Sequence, residues 1–201
     1  MSQRRDILKY LGLGIIGAGV ATAVGQKLQP AQSSIATFNP NVPLIPGSEI
    51  ALEAAGRTLP ELQGISNWIN SEPFTLASLR GNVVLLQFWT FACSNCQATI
   101  PYLVGWHDRY ASKGLKIVSV HTPEFPYERE INNIKRAVNK RRIKYPVAVD
   151  NGFETWKAYN NEYWPHLFLA NRQGQIVYDH IGEGAYTETE AKIRQLLGKT
   201  V

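Results

Sequence analysis

The chain has 201 residues, of which 44% are hydrophobic and 18% are charged, so it is expected to bury a packed core and is too apolar to be wholly disordered. This length suits one domain plus a leader. The formal net charge is +5, but the one basic run, at 140–144, is typical of a solvated helix end. Nucleic-acid binding is therefore not expected.

Residues 1–25 have the pattern of a targeting segment. The paired Arg4 and Arg5 resemble a twin-arginine export signal, and an uncharged apolar run follows from Tyr10 to Gly25. This run is shorter than the ~20 residues of a membrane-spanning helix, and Ala21-Thr22-Ala23 offers a signal-peptidase type of cleavage site. We expect a signal peptide, or a membrane anchor if it stays uncleaved, and hence an exported protein in a periplasm or lumen. Membrane contact is expected only through this segment.

Residues 26–59 are predicted to be a proline-rich linker and residues 60–201 to be one domain. The predicted elements of that domain are, in chain order, a strand at 81–89, a helix at 96–114, a strand at 115–121, a helix at 128–142, a strand at 145–150, a short helix at 152–160, a hairpin at 166–182 and a helix at 188–198. Strands separated by helices predict parallel pairing with right-handed crossovers, and the hairpin adds antiparallel strands at one edge. Helices should cover both faces of the sheet.

The two cysteines of the chain, Cys93 and Cys96, form a C-x-x-C pair directly after an apolar strand. A closed zinc site needs about four ligands, and the histidines lack the matching spacing, so no metal is expected. A purely structural disulfide would close too small a ring to contribute much stability. Redox chemistry is favoured because the pair lies at a predicted helix start, where free N–H groups and the helix dipole favour a thiolate. We predict Cys93 as the attacking sulfur and Cys96 as the resolving sulfur, without a further cofactor.

The surroundings of the pair resemble thioredoxin. Phe88-Trp89 precede the C-x-x-C at the family's spacing, Pro101 lies where the family has a helix-kinking proline, and Trp164-Pro165 precede the hairpin where it has a cis-proline. The resemblance implies a thioredoxin-like three-layer α/β/α sandwich with a central mixed sheet and a cis-Pro165 before the edge hairpin. It also implies that the backbone of Trp164 faces the sulfurs and pairs with an extended substrate segment.

A narrower resemblance rests on five segments, which are 64–96, 120–125 (VHTPEF), 145–151, 163–174 (YWPHLFLANRQG) and 182–186 (GEGAY). They are similar to the thioredoxin-like domain of the DipZ and TlpA branch, which contains exported thiol–disulfide reductases associated with cytochrome c maturation. The resemblance covers roughly residues 60–198. It implies that protein disulfides are the substrates. Because DipZ proteins also carry a membrane electron-transfer domain, it implies a separate membrane thiol protein as the electron donor here.

Several positions depart from thioredoxin. Gln87 stands where thioredoxins have a buried aspartate, and a neutral amide cannot accept the proton of the resolving thiol as a carboxylate can. Glu124 is the candidate substitute acid, with an ordinary solvated carboxylate as the alternative interpretation. Ser94 and Asn95 replace the Gly-Pro of thioredoxin and are candidate substrate-binding residues, as Ser94 can donate to a thiolate.

Trp89 and Trp164 are the predicted members of an apolar rim that docks protein substrates around Cys93. Two alternatives to an oxidoreductase stay open. A peroxiredoxin-like peroxidase would use the Thr90-x-x-Cys93 pattern, but Leu86 replaces the expected proline. A non-enzymatic metal- or haem-handling chaperone of this fold would have C-x-x-x-C, one residue longer than the spacing found here.

Overall fold

The computed structural model describes residues 57–198. The predicted signal or anchor at 1–25 lies outside the described residues, as do positions 26–56 of the predicted linker and the last three residues. Within the described range, no helix combines the length and the apolar character that a membrane crossing requires.

The described residues form six strands and four α-helices. In chain order these are β1 (Asn67–Ile69), β2 (Val83–Trp89), α1 (Ser94–Tyr110), β3 (Leu115–His121), α2 (Ile131–Lys140), β4 (Val147–Val149), α3 (Glu154–Ala158), β5 (His166–Ala170), β6 (Ile176–Ile181) and α4 (Tyr186–Gly198). Every predicted element is present. The prediction missed β1, because three residues are too few to show the alternation of a strand.

The six strands form one mixed sheet in the order β1-β4-β3-β2-β5-β6. The central pairs, β2 with β3 and β3 with β4, are parallel, and β5 runs antiparallel to both β2 and β6. The predicted mixed sheet with an antiparallel hairpin at one edge is therefore confirmed. The short β1 adds an antiparallel strand at the opposite edge.

Helices pack on both faces of the sheet, which confirms the predicted three-layer sandwich. Side chains of β2 alternate between the faces, so Leu85 packs in the cluster that contains residues of α1, α2 and α4. Phe88 points to the other face, where it packs with Tyr159 and Trp156. Full burial of an apolar side chain of this size stabilises the fold by about 1.5–3 kcal/mol.

The parallel strands place one group of loops together. β2, β3 and β4 end at Trp89, His121 and Val149, which are register neighbours across the sheet. The segments that follow these strands therefore meet at one edge of the sheet. Because β5 is antiparallel to β2, the loop that enters β5 at His166 lies at the same edge, beside Phe88. Both cysteines lie in the segment that leaves β2, so this edge holds the candidate site.

Candidate active site

Cys93 is the N-cap residue of α1. Its Sγ accepts a hydrogen bond from the backbone N–H of Cys96 at 3.2 Å, so the sulfur performs the capping role that an oxygen plays in other helices. The free N–H groups of the first turn and the helix dipole favour negative charge at this position. The predicted placement at the junction of strand and helix is confirmed, and Pro101 lies inside α1 as expected.

The two thiols differ in accessibility. Both cysteines are free, Cys93 is partly exposed, and Cys96 is completely buried. Burial raises the pKa of the Cys96 thiol, and a hydrogen bond with Cys93 and the charge of Glu128 raise it further. Cys96 therefore stays protonated in the resting dithiol, and Cys93 is the sulfur that a large substrate can reach.

The loop before β5 brings a backbone carbonyl to the exposed sulfur. The Trp164–Pro165 peptide bond is cis, and Cys93 Sγ lies 3.8 Å from the carbonyl oxygen of Trp164. The indole Nε1 of Trp164 donates to the carbonyl of Thr122 at 3.1 Å, and its ring packs on Trp156 with 4.2 Å between ring centroids. The segments after β2 and β3 and before β5 are thus fastened to one another around Cys93.

The other predicted substrate-binding residues lie in different environments. Ser94 and Asn95 are exposed in the first turn of α1, next to Cys93. Trp89 is completely buried, in the same cluster as Cys96, and so is not part of an exposed rim. The reason is that β2 is a central strand with both faces covered, so all of its side chains are buried, and alternation places Trp89 on the face that packs against α1.

The exposed apolar residues near Cys93 come from other positions. Phe125 is 45% exposed, Tyr127 51% and Tyr163 50%. The Tyr127 ring lies 5.8 Å from the ring of Phe91, in the segment that leads into Cys93, and Tyr163 adjoins Trp164 in sequence. Exposed aromatic side chains therefore lie in the segments after β3 and before β5, and among the aromatic residues of these two segments the sequence predicts only Trp164 for the rim.

Glu124, the predicted substitute acid, has an exposed side chain. The buried carboxylate of the site belongs to Glu128, which has no exposed surface. Its Oε1 accepts hydrogen bonds from the Thr90 hydroxyl and from the Ala92 N–H at 2.9 Å. Its Oε2 accepts from the N–H groups of Glu124 at 2.8 Å and Phe125 at 2.9 Å. Glu124 therefore contributes its backbone to this arrangement, and Glu128 contributes the charge.

Local geometry explains why sequence reasoning missed Glu128. The predicted helix at 128–142 placed it in a first turn, where acidic residues are usually solvated. In the structure α2 begins only at Ile131, and Pro126–Arg129 form a separate 3-10 turn followed by an extended Glu130. The proline at the start of this turn was the available signal, since it favours a new helical start.

Gln87, at the position of the thioredoxin aspartate, is completely buried on β2. Neither its Oε1 nor its Nε2 has a hydrogen-bond partner among the described residues. It pairs in register with Ser119 on β3, whose hydroxyl is also unpaired there. A neutral amide avoids the large cost of burying an unpaired charge.

His121, at the end of β3, is also completely buried. Its Nε2 lies 3.4 Å from the Thr90 hydroxyl, and its ring stacks on Phe91 at 5.6 Å. Burial lowers the pKa of His121 to about 4, even though the charge of Glu128 opposes that shift. The imidazole is therefore neutral at physiological pH and cannot serve as a cationic partner for a thiolate.

This buried imidazole predicts a stability that depends on pH. The unfolded chain binds a proton at His121 below about pH 6.5, whereas the folded chain does so only near pH 4, so stability is lost as the pH falls between these values. Between pH 7 and pH 4 we expect the free energy of unfolding, measured in urea, to fall in both proteins. The fall in the wild type should exceed the fall in His121→Gln by about 3 kcal/mol. Equal pH dependence of the two proteins would contradict the buried neutral imidazole.

The described residues contain no group of three or more histidine, cysteine, aspartate or glutamate side chains arranged to hold a metal ion.

Comparisons with known proteins agree with this geometry. The redoxin family model matches residues 54–197. Protein DipZ of Mycobacterium bovis is 44% identical over 149 residues, which are 73% of this chain and 21% of DipZ. The thiol–disulfide oxidoreductase YkuV of Bacillus subtilis is 26% identical over 142 residues, covering 71% of this chain and 95% of YkuV.

Among solved structures, a thioredoxin-like protein in the oxidised form superposes with a TM-score of 0.66 at 26% identity, covering 73% of this chain and 98% of that one. The chain spans only about a fifth of the DipZ protein that it matches. Since the redoxin model matches well over half of the residues, the chain belongs to the redoxin family of thioredoxin-like thiol–disulfide oxidoreductases.

Proposed function

We propose that the whole protein is an exported thiol–disulfide oxidoreductase that reduces protein disulfides. The observation that carries the proposal is the asymmetry of the pair. Cys93 is partly exposed at the start of α1 and accepts the Cys96 N–H at 3.2 Å, whereas Cys96 is fully buried. One sulfur can reach a substrate, and the other can reach only the first sulfur.

The proposed reaction has two steps. The Cys93 thiolate attacks one sulfur of the substrate disulfide, which forms a mixed disulfide and releases the first substrate thiolate. Cys96 then loses its proton and attacks Cys93 Sγ, which forms the Cys93–Cys96 disulfide and releases the second substrate thiolate. The dithiol gives up two electrons, and the two substrate thiolates take up two protons. A donor dithiol restores the enzyme by the reverse exchange.

The carbonyl of Trp164 supports a role for the loop before β5 in substrate binding. It lies 3.8 Å from Cys93 Sγ, at the position where the backbone of a substrate would pass during attack. An extended segment that pairs with this backbone would hold its disulfide over the sulfur, while apolar side chains contact the exposed aromatic residues on either side. We propose Pro165 and Trp164 as the substrate-positioning residues, with Ser94 and Asn95 at the rim.

The peroxidase alternative is not favoured by the geometry. It would need the Thr90 hydroxyl beside Cys93, and that hydroxyl donates instead to Glu128. The chaperone alternative has no further ligand group to support it among the described residues.

The direction of electron flow is proposed from the state of Cys96. A strongly oxidising dithiol has a stabilised reduced form, usually through a thiolate. Here burial, and to a lesser extent the hydrogen bond with Cys93 and the charge of Glu128, raise the pKa of Cys96, which disfavours a thiolate at that sulfur. We therefore infer a reductase whose electrons come from a separate membrane thiol protein, in cytochrome c maturation or an equivalent process. The export step is assigned to residues 1–25.

A redox titration tests the proposed direction. Equilibrating the protein with dithiothreitol mixtures and trapping free thiols by alkylation is expected to give a reduction potential nearer −270 mV than −120 mV, because the reduced pair lacks a stabilised thiolate at Cys96. A value near −120 mV would instead identify an oxidant of substrate thiols, and the proposed direction would be wrong.

A further inference from the structure

Glu128 joins two segments of the site through one carboxylate. Its Oε1 binds the segment that leads into Cys93, through the Thr90 hydroxyl and the Ala92 N–H. Its Oε2 binds the turn that carries the exposed Phe125, through the N–H groups of Glu124 and Phe125. The active-site segment and the aromatic turn are therefore held together by a single buried side chain.

The carboxylate is ionised and has no free acceptor position of good geometry. Burial alone would raise the pKa of Glu128, but the four hydrogen bonds outweigh burial and hold that pKa below its usual value. A carboxylate that already accepts four hydrogen bonds is poorly suited to take the proton of Cys96. Glu128 is thus a fixed charge and not a general base.

Glu128 carries a negative charge that acts on Cys96 and raises the pKa of its thiol. The neighbouring His121 is neutral because burial lowers its pKa to about 4. The guanidinium of Arg141 donates to the Phe91 carbonyl at 3.3 Å and lies close enough to interact with Cys96. Cys96 therefore interacts with one partly buried cation and one buried anion, and the like charge of the anion disfavours a thiolate.

We propose that Glu128 is a positioning residue of the dithiol, whose carboxylate fixes the Thr90–Ala92 segment that leads into Cys93, ties the aromatic turn to that segment, and opposes negative charge at Cys96. The proposal deepens the thiol–disulfide exchange proposed above and rests on it. The two roles are separable, since one needs the charge and the other needs the hydrogen bonds.

The variant Glu128→Gln removes the charge. Its NH₂ must also face N–H or O–H donors whichever way it is turned, so Thr90→Val, which disturbs the hydrogen bonds and keeps the charge, is measured beside it. We expect the pH profile of dithiol alkylation by iodoacetamide to move to lower pH in Glu128→Gln and not in Thr90→Val, because only the first removes a like charge. The matched control is Glu124→Gln, four residues earlier and exposed, which should keep the wild-type profile. Equal profiles for all four proteins would overturn the electrostatic role.

The variant Thr90→Val tests the clamp while keeping the charge. It removes one hydrogen-bond donor to Glu128. We therefore expect the ratio of two rates, that with insulin disulfides to that with 5,5′-dithiobis(2-nitrobenzoate), to fall about tenfold. The second compound is a small disulfide that reacts without contacting the aromatic turn. Thr90→Ser keeps the hydroxyl and should restore the ratio. An unchanged ratio in Thr90→Val would overturn the clamp. Circular dichroism checks the fold of each variant.

These outcomes are distinct from failure of the proposed function. Alkylation and reaction with the small disulfide report on the cysteine pair itself, whichever direction electrons flow in the cell. An oxidising potential would overturn the reductase and leave the Glu128 tests intact, whereas an unmoved pH profile would overturn Glu128 and leave the reductase intact.

Discussion

Replacing Cys93 with serine is expected to abolish disulfide exchange, lowering the rate with a protein disulfide by roughly a thousandfold or more. Only a thiolate attacks a disulfide sulfur at a useful rate, and a serine hydroxyl stays protonated. The remaining thiol of Cys96 is fully buried, and burial raises its pKa, so it cannot replace the lost nucleophile. The measurement is dithiothreitol-dependent reduction of insulin, followed by its precipitation.

The matched control for this variant is Ala98→Ser. Ala98 is exposed on α1 close to the cysteine pair, so the substitution places a serine on the same helix without removing a thiol. We expect the control to keep the rate within about threefold, because a surface substitution of this kind costs little. Insulin reduction by Cys93→Ser at a rate comparable to the control would show that the nucleophile had been assigned to the wrong residue.

Much of the fold could be predicted because its signals are local. The apolar run of β2, the β-branched run of β3 and the turn between β5 and β6 lie within short windows of sequence, and each gave an element of the right type. The boundary of α2 was less predictable. Its helical pattern extends back to Glu128, whereas in the structure Pro126–Arg129 form a 3-10 turn and the helix begins only at Ile131, after an extended Glu130.

The candidate site was predictable where its residues lie close together in the sequence. The spacing of Cys93 and Cys96 placed them at the junction of strand and helix, and the resemblance to thioredoxin placed Pro101 inside the helix that follows. Glu128 is 36 residues from Ala92 along the chain, and no local pattern pairs its carboxylate with that N–H. The position of Trp89 next to the motif predicted a rim residue, but β2 is covered on both faces and buries Trp89 in the core.

Gln87 shows the consequence of having an amide at the position of the thioredoxin aspartate. The sequence predicted that an amide occupies the position of the thioredoxin aspartate, and the structure buries it without a partner among the described residues. The sequence predicted Glu124 as a compensating acid. The carboxylate buried near the pair is instead that of Glu128, which is ionised and accepts four hydrogen bonds. The charge near the dithiol is therefore that of Glu128 and not that of Glu124. Its carboxylate positions the site and does not accept a proton.

Replacing Cys96 with serine is expected to trap the mixed disulfide. Cys93 keeps its position, its partial exposure and the N–H of residue 96, so the first attack on a substrate disulfide proceeds. The second step needs a sulfur one helical turn away, and its loss leaves the substrate covalently attached. Intramolecular attack by a well-placed group is favoured by an effective concentration of molar or more, so its removal should lengthen the lifetime of the complex by at least about a hundredfold.

The trapped complex also shows which of the two sulfurs attacks the substrate and which resolves the mixed disulfide. Incubation of Cys96→Ser with insulin should give a covalent adduct on a non-reducing gel that dithiothreitol dissolves, and peptide mass spectrometry should locate the bond at Cys93. Accumulation of an adduct in Cys93→Ser instead would reverse the assignment. Reversal would require Cys96, which lies on the buried face of α1, to become the accessible thiol, and the order of attack follows directly from that difference in burial.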